Sequence, residues 1–198
     1  MDVAAWRRET RARLVAQRQQ LPQEEHQRAS LKIEGFLDET LSVLAPQTVG
    51  AYWPYQAEVD LRGLMDRLRI KGWTAALPLV VKRRSPLEFL RWVADAEMEP
   101  GVYGIPVPRI QVHVQPDVAI LPLVGFDAQN FRLGYGAGYY DITLAALQPR
   151  PRTIGVGFEL ARLETIHPHP RDIPLDIIIT EAGIQQFRQQ FGDGHPVG

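Results

Sequence analysis

Between Arg132 and Asp141 the chain reads RLGYGAGYYD, with Gly134, Gly136 and Gly138 at alternate positions and a carboxylate at the end. Residues of these types can hold an anion. Glycine lets the backbone take positive φ and approach a ligand closely, and the first N–H groups of a following helix lack partners of their own. The guanidinium of Arg132, two residues ahead of the first glycine, can pair with the phosphate oxygens that such amides bind. A Gly-rich turn can also serve only to pack a strand onto a helix, and it is Arg132 that tips the reading towards phosphate. Asp141 is either a polar cap for the new helix, which spacing alone favours, or a carboxylate holding Mg²⁺ against phosphates. Tyr135, Tyr139 and Tyr140 can stack on a flat heterocycle, although aromatics beside glycines more often press the helix down.

Two other groups of residues could do chemistry. Arg7, Arg8, Arg11, Arg13 and Arg18 crowd the segment from Val3 to Leu21, where Val3, Trp6, Leu14 and Leu21, with Thr10 and Gln17 between, recur at three- and four-residue steps. That spacing predicts a helix with a narrow buried stripe. Its arginines form a solvated face, the usual fate of a charge run, or one or two of them reach a phosphate, depending on how the helix packs. His167 and His169 flank Pro168 and could converge on a metal, but the alternating prolines and the absence of cysteine favour a solvated loop.

The elements that must position these residues follow from apolar patterning. A second helix runs from Pro22 to Leu44. Thr48 to Trp53 is a short buried strand, a helix with Leu61, Leu64, Met65 and Leu68 on one face ends near Gly72, and Trp73 to Val81 and Leu87 to Val93 are further strands. The proline-rich stretch from Asp95 to Gln115 reads as an irregular excursion. Ala119 to Val124 is a continuous apolar strand leading through a polar turn at Asp127 into the glycine loop and a short helix ending at Leu147. Arg152 to Phe158, whose Gly155 and Gly157 signal a close approach, and Ile177 to Thr180 are the last strands, and a helix is predicted from Glu181 to Phe191 before a frayed tail. Apolar strands alternating with amphipathic helices predict an α/β sandwich with a largely parallel sheet, and ligands of such sheets bind beyond the carboxyl ends of the strands. Trp53, Glu58, the turn at residues 82–84, the stretch 127–141 and the loop to Asp172 all follow strands, so they can share one cleft.

The 198 residues, 45% of them hydrophobic, suit a single domain over residues 1–198. A net charge of −1 gives no global pull towards nucleic acid or an anionic membrane. The absence of cysteine removes thiolate chemistry and disulfides, no stretch resembles a signal peptide or a bilayer span, and a cytoplasmic monomer is expected.

The segment LPLVGFDAQNFRLGYGAGYYD resembles the signature of the 5-formyltetrahydrofolate cyclo-ligase family. The similarity extends in order through WRRETRARL, YWPYQAEVD and RDIPLDIIITE. The resemblance implies a three-layer fold with helices on both faces, binding ATP and a reduced folate in one cleft and converting 5-formyltetrahydrofolate to 5,10-methenyltetrahydrofolate, ADP and phosphate. It implies that Arg132, Leu133, Gly134, Tyr135, Gly136, Ala137, Gly138, Tyr139 and Tyr140 hold the ATP phosphates, with Arg7, Arg8 and Arg11 as a basic contact. Arg132 and Asp141 would be catalytic, Asp141 and Asp172 would hold Mg²⁺, and Glu58 with Trp53 would face the folate. By position alone Glu58 is a carboxylate at a helix start. The chain departs from the family at Val107, Leu160, Ala161, His169 and Arg171, which lie on the folate side, and Asn130 stands where glycine is common. Those departures keep two alternatives open, a relative acting on another heterocycle and a non-catalytic folate- or nucleotide-binding module. Arg132 and Asp141 are expected at the cleft surface, so that removing either leaves stability nearly intact.

Overall fold

The computed structural model describes residues 1–186. In chain order its elements are α1 (Val3–Gln19), α2 (Gln23–Ser42), β1 (Thr48–Gly50), α3 (Arg62–Ile70), β2 (Thr74–Leu79), β3 (Glu88–Arg91), β4 (Met98–Pro100), β5 (Pro106–Pro108), β6 (His113–Val114), β7 (Val118–Pro122), β8 (Gly125–Phe126), β9 (Arg132–Leu133), α4 (Tyr139–Ala146), β10 (Arg152–Val156), β11 (Ile177–Thr180) and β12 (Gly183–Gln186). Eight strands form one sheet in the order β12-β11-β10-β7-β1-β2-β3-β6. The neighbours from β11 to β2 pair in parallel, and β12, β3 and β6 join antiparallel at the two edges.

Alternation along the strands divides the core. Val118 and Ile120 of β7, Ala75 and Leu77 of β2 and Ile154 of β10 face a layer made by Ile33, Leu37 and Leu41 of α2 and Leu64, Met65 and Leu68 of α3. Ala119 and Leu121 face the opposite way, towards Leu144 of α4 and Phe126. The helices therefore cover both faces, which is the expected three-layer sandwich. No helix among the described residues is long and apolar enough to cross a membrane.

Three stretches differ from the sequence reading. Residues 95–115 are not irregular throughout, because β4 and β5 pair as an antiparallel hairpin and β6 extends the sheet edge. The turn at Asp127 is the tip of a second hairpin, β8 with β9. Asp127 is fully buried there, its Oδ1 accepting the N–H groups of Gln129 and Phe131 at 3.1 Å and its Oδ2 that of Ile166 at 3.1 Å. Asn130 sits in that turn at φ 62°, a left-handed conformation that asparagine tolerates better than most residues and that explains glycine elsewhere. Finally, the predicted helix from Glu181 is a strand where it is described: Ile179 pairs with Ile184 and Ile177 with Gln186, so the open edge of β11 overrides a glutamine-rich local sequence. The rest of that predicted helix and the tail predicted to fray lie outside the described residues.

The close approach signalled by Gly155 is to side chains of the protein itself. A Cβ there would stand 2.7 Å from Leu175 Cδ1 and 2.9 Å from Leu123 Cδ2, inside contact distance. Gly155→Ala is therefore expected to overpack the layer and lower the free energy of unfolding by about 1–3 kcal/mol, read from the urea midpoint.

Candidate active site

Helix α1 lies over the carboxyl ends of the parallel strands and turns an arginine face towards them. Arg7, Arg11 and Arg18 stand at i, i+4 and i+11, and Thr10, Leu14 and Arg18 are the buried residues of the helix. The stripe predicted through Val3 and Gln17 is thus displaced, since both of those are exposed. Arg7 Nη2 donates to Asp172 Oδ2 at 2.6 Å, and Arg11 Nε donates to the carbonyl of Gly134 at 2.7 Å. Arg8 turns away, its side chain 75% exposed and 4.0 Å from Glu9. Arg13 also faces outward, bonded to Gln17.

The glycine loop occupies residues 134–138 between β9 and α4, and residues 135–138 are exposed. Gly138 precedes the helix in a left-handed conformation, φ 72°. Gly134 is different, because it has no positive φ and an added Cβ would meet nothing within 4 Å. Nothing among the described residues demands glycine there, as expected if the requirement comes from a ligand. Arg132, on β9, is buried and points its guanidinium at Asp141, with Nη1 3.1 Å from Oδ1 and Nη2 3.1 Å from Oδ2. Burial lowers the arginine's pKa and the Asp141 charge opposes that shift, while burial raises the Asp141 carboxyl against the pull of Arg132. The helix is capped at Gly138 without a side-chain bond, and Asp141 stands inside its first turn. Its Oδ1 also accepts the N–H of Ile173, which ties α4 to the segment carrying Asp172.

The Nε atoms of Arg7 and of Arg132 are both buried and without a hydrogen-bond partner among the described residues. Donors left in that state are costly, and two beside one glycine loop indicate an acceptor-rich ligand. Next to Arg7 and Arg11 opens a groove of about 730 Å³, walled by Thr165 and residues 167–170. His167 and His169 take other roles: the first packs edge-on against Trp6, 4.6 Å between ring centres, and the second accepts the Arg171 N–H on Nδ1 at 3.1 Å. Among the described residues no group of three or more metal-ligating side chains exists. Mg²⁺ carried by phosphates needs only one or two carboxylates, which Asp141 and Asp172, each paired here with an arginine, could supply.

Glu58 joins the glycine loop through Tyr135, and it does not act as a helix-start charge. Its side chain is buried, with Oε1 accepting from the Tyr135 hydroxyl at 2.6 Å and Oε2 from the Tyr55 N–H at 2.9 Å. Burial pushes its carboxyl upward, opposed by those two bonds and by Arg18 at 3.8 Å. The turn carrying it is strained, with Gln56 at φ 48° and Ala57 at φ 60°. Arg18 Nε and the His26 ring hold the two carbonyls of that turn, at 3.0 Å each. Trp53 lies half-buried before it, with the Arg62 guanidinium 4.7 Å above its ring. Among the residues of departure, Val107 and Ala161 are buried and Leu160 packs onto the core, so they do not present polar groups to the cleft. Arg18 is the site residue that the sequence reading left among undifferentiated arginines. The signal was its eleven-residue spacing from Arg7, which becomes legible once the helix's inner face is known.

The fold and site together define an α/β protein that sets a glycine loop, paired arginines and two carboxylates at the carboxyl edge of its sheet. The chain belongs to the 5-formyltetrahydrofolate cyclo-ligase family, whose family model matches residues 3–181. A 5-formyltetrahydrofolate cyclo-ligase of Haemophilus influenzae is 29% identical over 141 residues, covering 67% of this chain and 75% of that protein. The 5,10-methenyltetrahydrofolate synthetase of Aquifex aeolicus superposes with a TM-score of 0.81 at 28% identity, covering 96% of each chain. That of Mycoplasma pneumoniae gives 0.72 at 25% identity, over 91% of this chain and 99% of the other.

The raised Glu58 carboxyl has a consequence for stability. The folded state binds its proton more tightly than the unfolded chain, so this contribution is fully present below the ordinary value of 4.5 and is lost as pH rises through the folded value. Wild type is expected to lose stability relative to Glu58→Gln across that rise, measured as the difference in urea midpoints between about pH 4 and pH 8.

Proposed function

We propose that this protein catalyses the ATP-dependent closure of 5-formyltetrahydrofolate to 5,10-methenyltetrahydrofolate, with release of ADP and phosphate. The observation that carries the reading is the pair of arginine–aspartate bridges, Arg7–Asp172 and Arg132–Asp141, set beside the glycine loop with a buried Nε on each arginine unpartnered. Family membership supplies the reaction. Its chemistry asks the protein chiefly for positioning and positive charge. The formyl oxygen on N5 attacks the γ-phosphorus and ADP departs; N10 then attacks the activated carbon, and phosphate leaves as the ring closes, the N10 proton departing to phosphate or solvent.

The cleft carries its charges as internal pairs. Arg7 and Arg132 can exchange carboxylate for phosphate oxygens with their planar forks, while Arg11 keeps the carbonyl of Gly134 in place. Asp141 and Asp172 are thereby available to Mg²⁺, which neutralises charge on the phosphates when bound. Tyr140 lies under the Arg132 guanidinium, 5.7 Å from it, and Tyr139, Leu133 and Ala137 complete the cradle. At the other end Glu58, whose oxygens hold the Tyr135 hydroxyl and the Tyr55 N–H, keeps further lone pairs for an amino-pyrimidine edge, and Trp53 precedes it in the chain.

Incubation with ATP, Mg²⁺ and 5-formyltetrahydrofolate is expected to raise the near-ultraviolet absorbance of the methenyl product. Absence of turnover beside an active control enzyme would defeat the reading. Asp141→Asn should lower kcat by about 100-fold or more. Contrary to the expectation from sequence, it should also destabilise the protein by roughly 3 kcal/mol, because Arg132 is left buried without its counter-charge. Arg7→Ala should raise the KM for ATP at least about tenfold, the loss of one charge-assisted contact, whereas Arg8→Ala should change it by less than about threefold.

A further inference from the structure

The guanidinium of Arg18 is buried, with a side chain 6% exposed, and each of its three nitrogens has a partner. Nε donates to the Gln56 carbonyl at 3.0 Å, Nη1 to the Leu123 carbonyl at 3.1 Å and Nη2 to the Tyr135 hydroxyl at 2.6 Å. One side chain thus fixes the strained turn that carries Glu58, the end of β7 and the middle of the glycine loop. The Tyr135 hydroxyl has a single hydrogen. Since arginine is only a donor, the hydroxyl must accept from Arg18, and its own hydrogen goes to Glu58 Oε1 at 2.6 Å. With Glu58 ionised, the order Arg18 to Tyr135 to Glu58 is set by donor and acceptor types.

Tyr135 lies between Gly134 and Gly136. The backbone that carries its hydroxyl to Glu58 is the same backbone offered to the phosphates. Residues 135–138 are exposed, and Gly136 and Gly138 have positive φ, so the tyrosine is the polar tether of this loop to the folate end. We propose that Tyr135, backed by Arg18, is a positioning residue that couples the two substrates: a folate held on Glu58 shares the carboxylate that the tyrosine already bonds, and so stiffens that bond and with it the nucleotide loop. This rests on the assignment of Glu58 to the folate and of the loop to ATP. ATP then binds a loop whose ordering cost has been partly met, so the two ligands bind with positive cooperativity. By linkage the effect is reciprocal.

The test measures calorimetric Kd values for the β,γ-imido analogue of ATP with Mg²⁺, with and without saturating 5-formyltetrahydrofolate. Wild type should bind the analogue about fivefold or more tightly when the folate is present, within the usual range of site coupling, and the folate should gain by the same factor. In Tyr135→Phe that ratio should fall to about one, whatever happens to the separate affinities. A merely structural role would shift the Kd with and without folate alike and leave the ratio unchanged. Arg18→Lys, which cannot reach three acceptors from one ammonium, should reduce the ratio as well; if it does not fold, Tyr135→Phe decides alone. A wild-type ratio of one, or a Tyr135→Phe ratio equal to wild type, overturns the coupling. A Glu58→Gln protein that binds the folate alone as tightly as wild type would instead refute the assignment of Glu58.

Discussion

Guanidinium groups drawn out of water at the carboxyl edge of the sheet must find their partners there, and much of the cleft is built around that requirement. Arg7 takes Asp172, Arg132 takes Asp141, and Arg18 takes two carbonyls and the Tyr135 hydroxyl beside Glu58. Each pairing crosses between segments far apart in sequence. Helix α1 is thereby fastened to the glycine loop, to the turn at Glu58 and to the segment before β11 by charge rather than by a broad apolar stripe, of which Leu14 is the main buried member. A buried pair of this kind adds little net stability but is costly to break from one side, so it specifies geometry more than it stabilises.

That economy suits a site that exchanges one set of ionic partners for another. Arg7 and Arg132 are already desolvated and aimed, each held on a carboxylate, so an anion exchanged for that carboxylate would replace an existing acceptor and would not have to strip a hydration shell. Support comes from behind. Asp127, fully buried, gathers three backbone N–H groups and sets the β8–β9 hairpin from which Arg132 projects, and the bond from Ile173 to Asp141 locks α4 to the Asp172 segment. The strain at Gln56 and Ala57 fits the same picture, since positive φ at two non-glycine residues persists only where neighbours such as Arg18 and His26 over-determine it.

Much of this was legible in the chain. The order of strands and helices followed from apolar runs and their period, and the parallel centre of the sheet followed from strands apolar on both faces. The glycine loop with Arg132 and Asp141 was visible because such residue types are seldom combined for packing alone. What could not be read were features decided by contacts distant in sequence. The segment after Thr180 carries glutamines suited to a helix, yet the unpaired edge of β11 makes it a strand. The excursion from Asp95 hides a hairpin whose strands contain Pro100, Pro106 and Pro108, residues that normally argue against strands.

The five arginines of α1 show the boundary most clearly. The sequence by itself determined that they lie on a helix, that Arg7, Arg11 and Arg18 share one face, and that Arg8 and Arg13 do not, because a period of 3.6 residues is a local property. Which face looks inward was decided only by the tertiary structure. With Leu14 almost alone as an apolar anchor, the helix has no strong hydrophobic phase of its own, and its rotation is set by acceptors that other strands bring to it: Asp172, the carbonyls of Gly134, Gln56 and Leu123, and the Tyr135 hydroxyl. Long-range pairing of charge, which no local pattern records, separates Arg18 at the centre of the site from Arg8 in solvent.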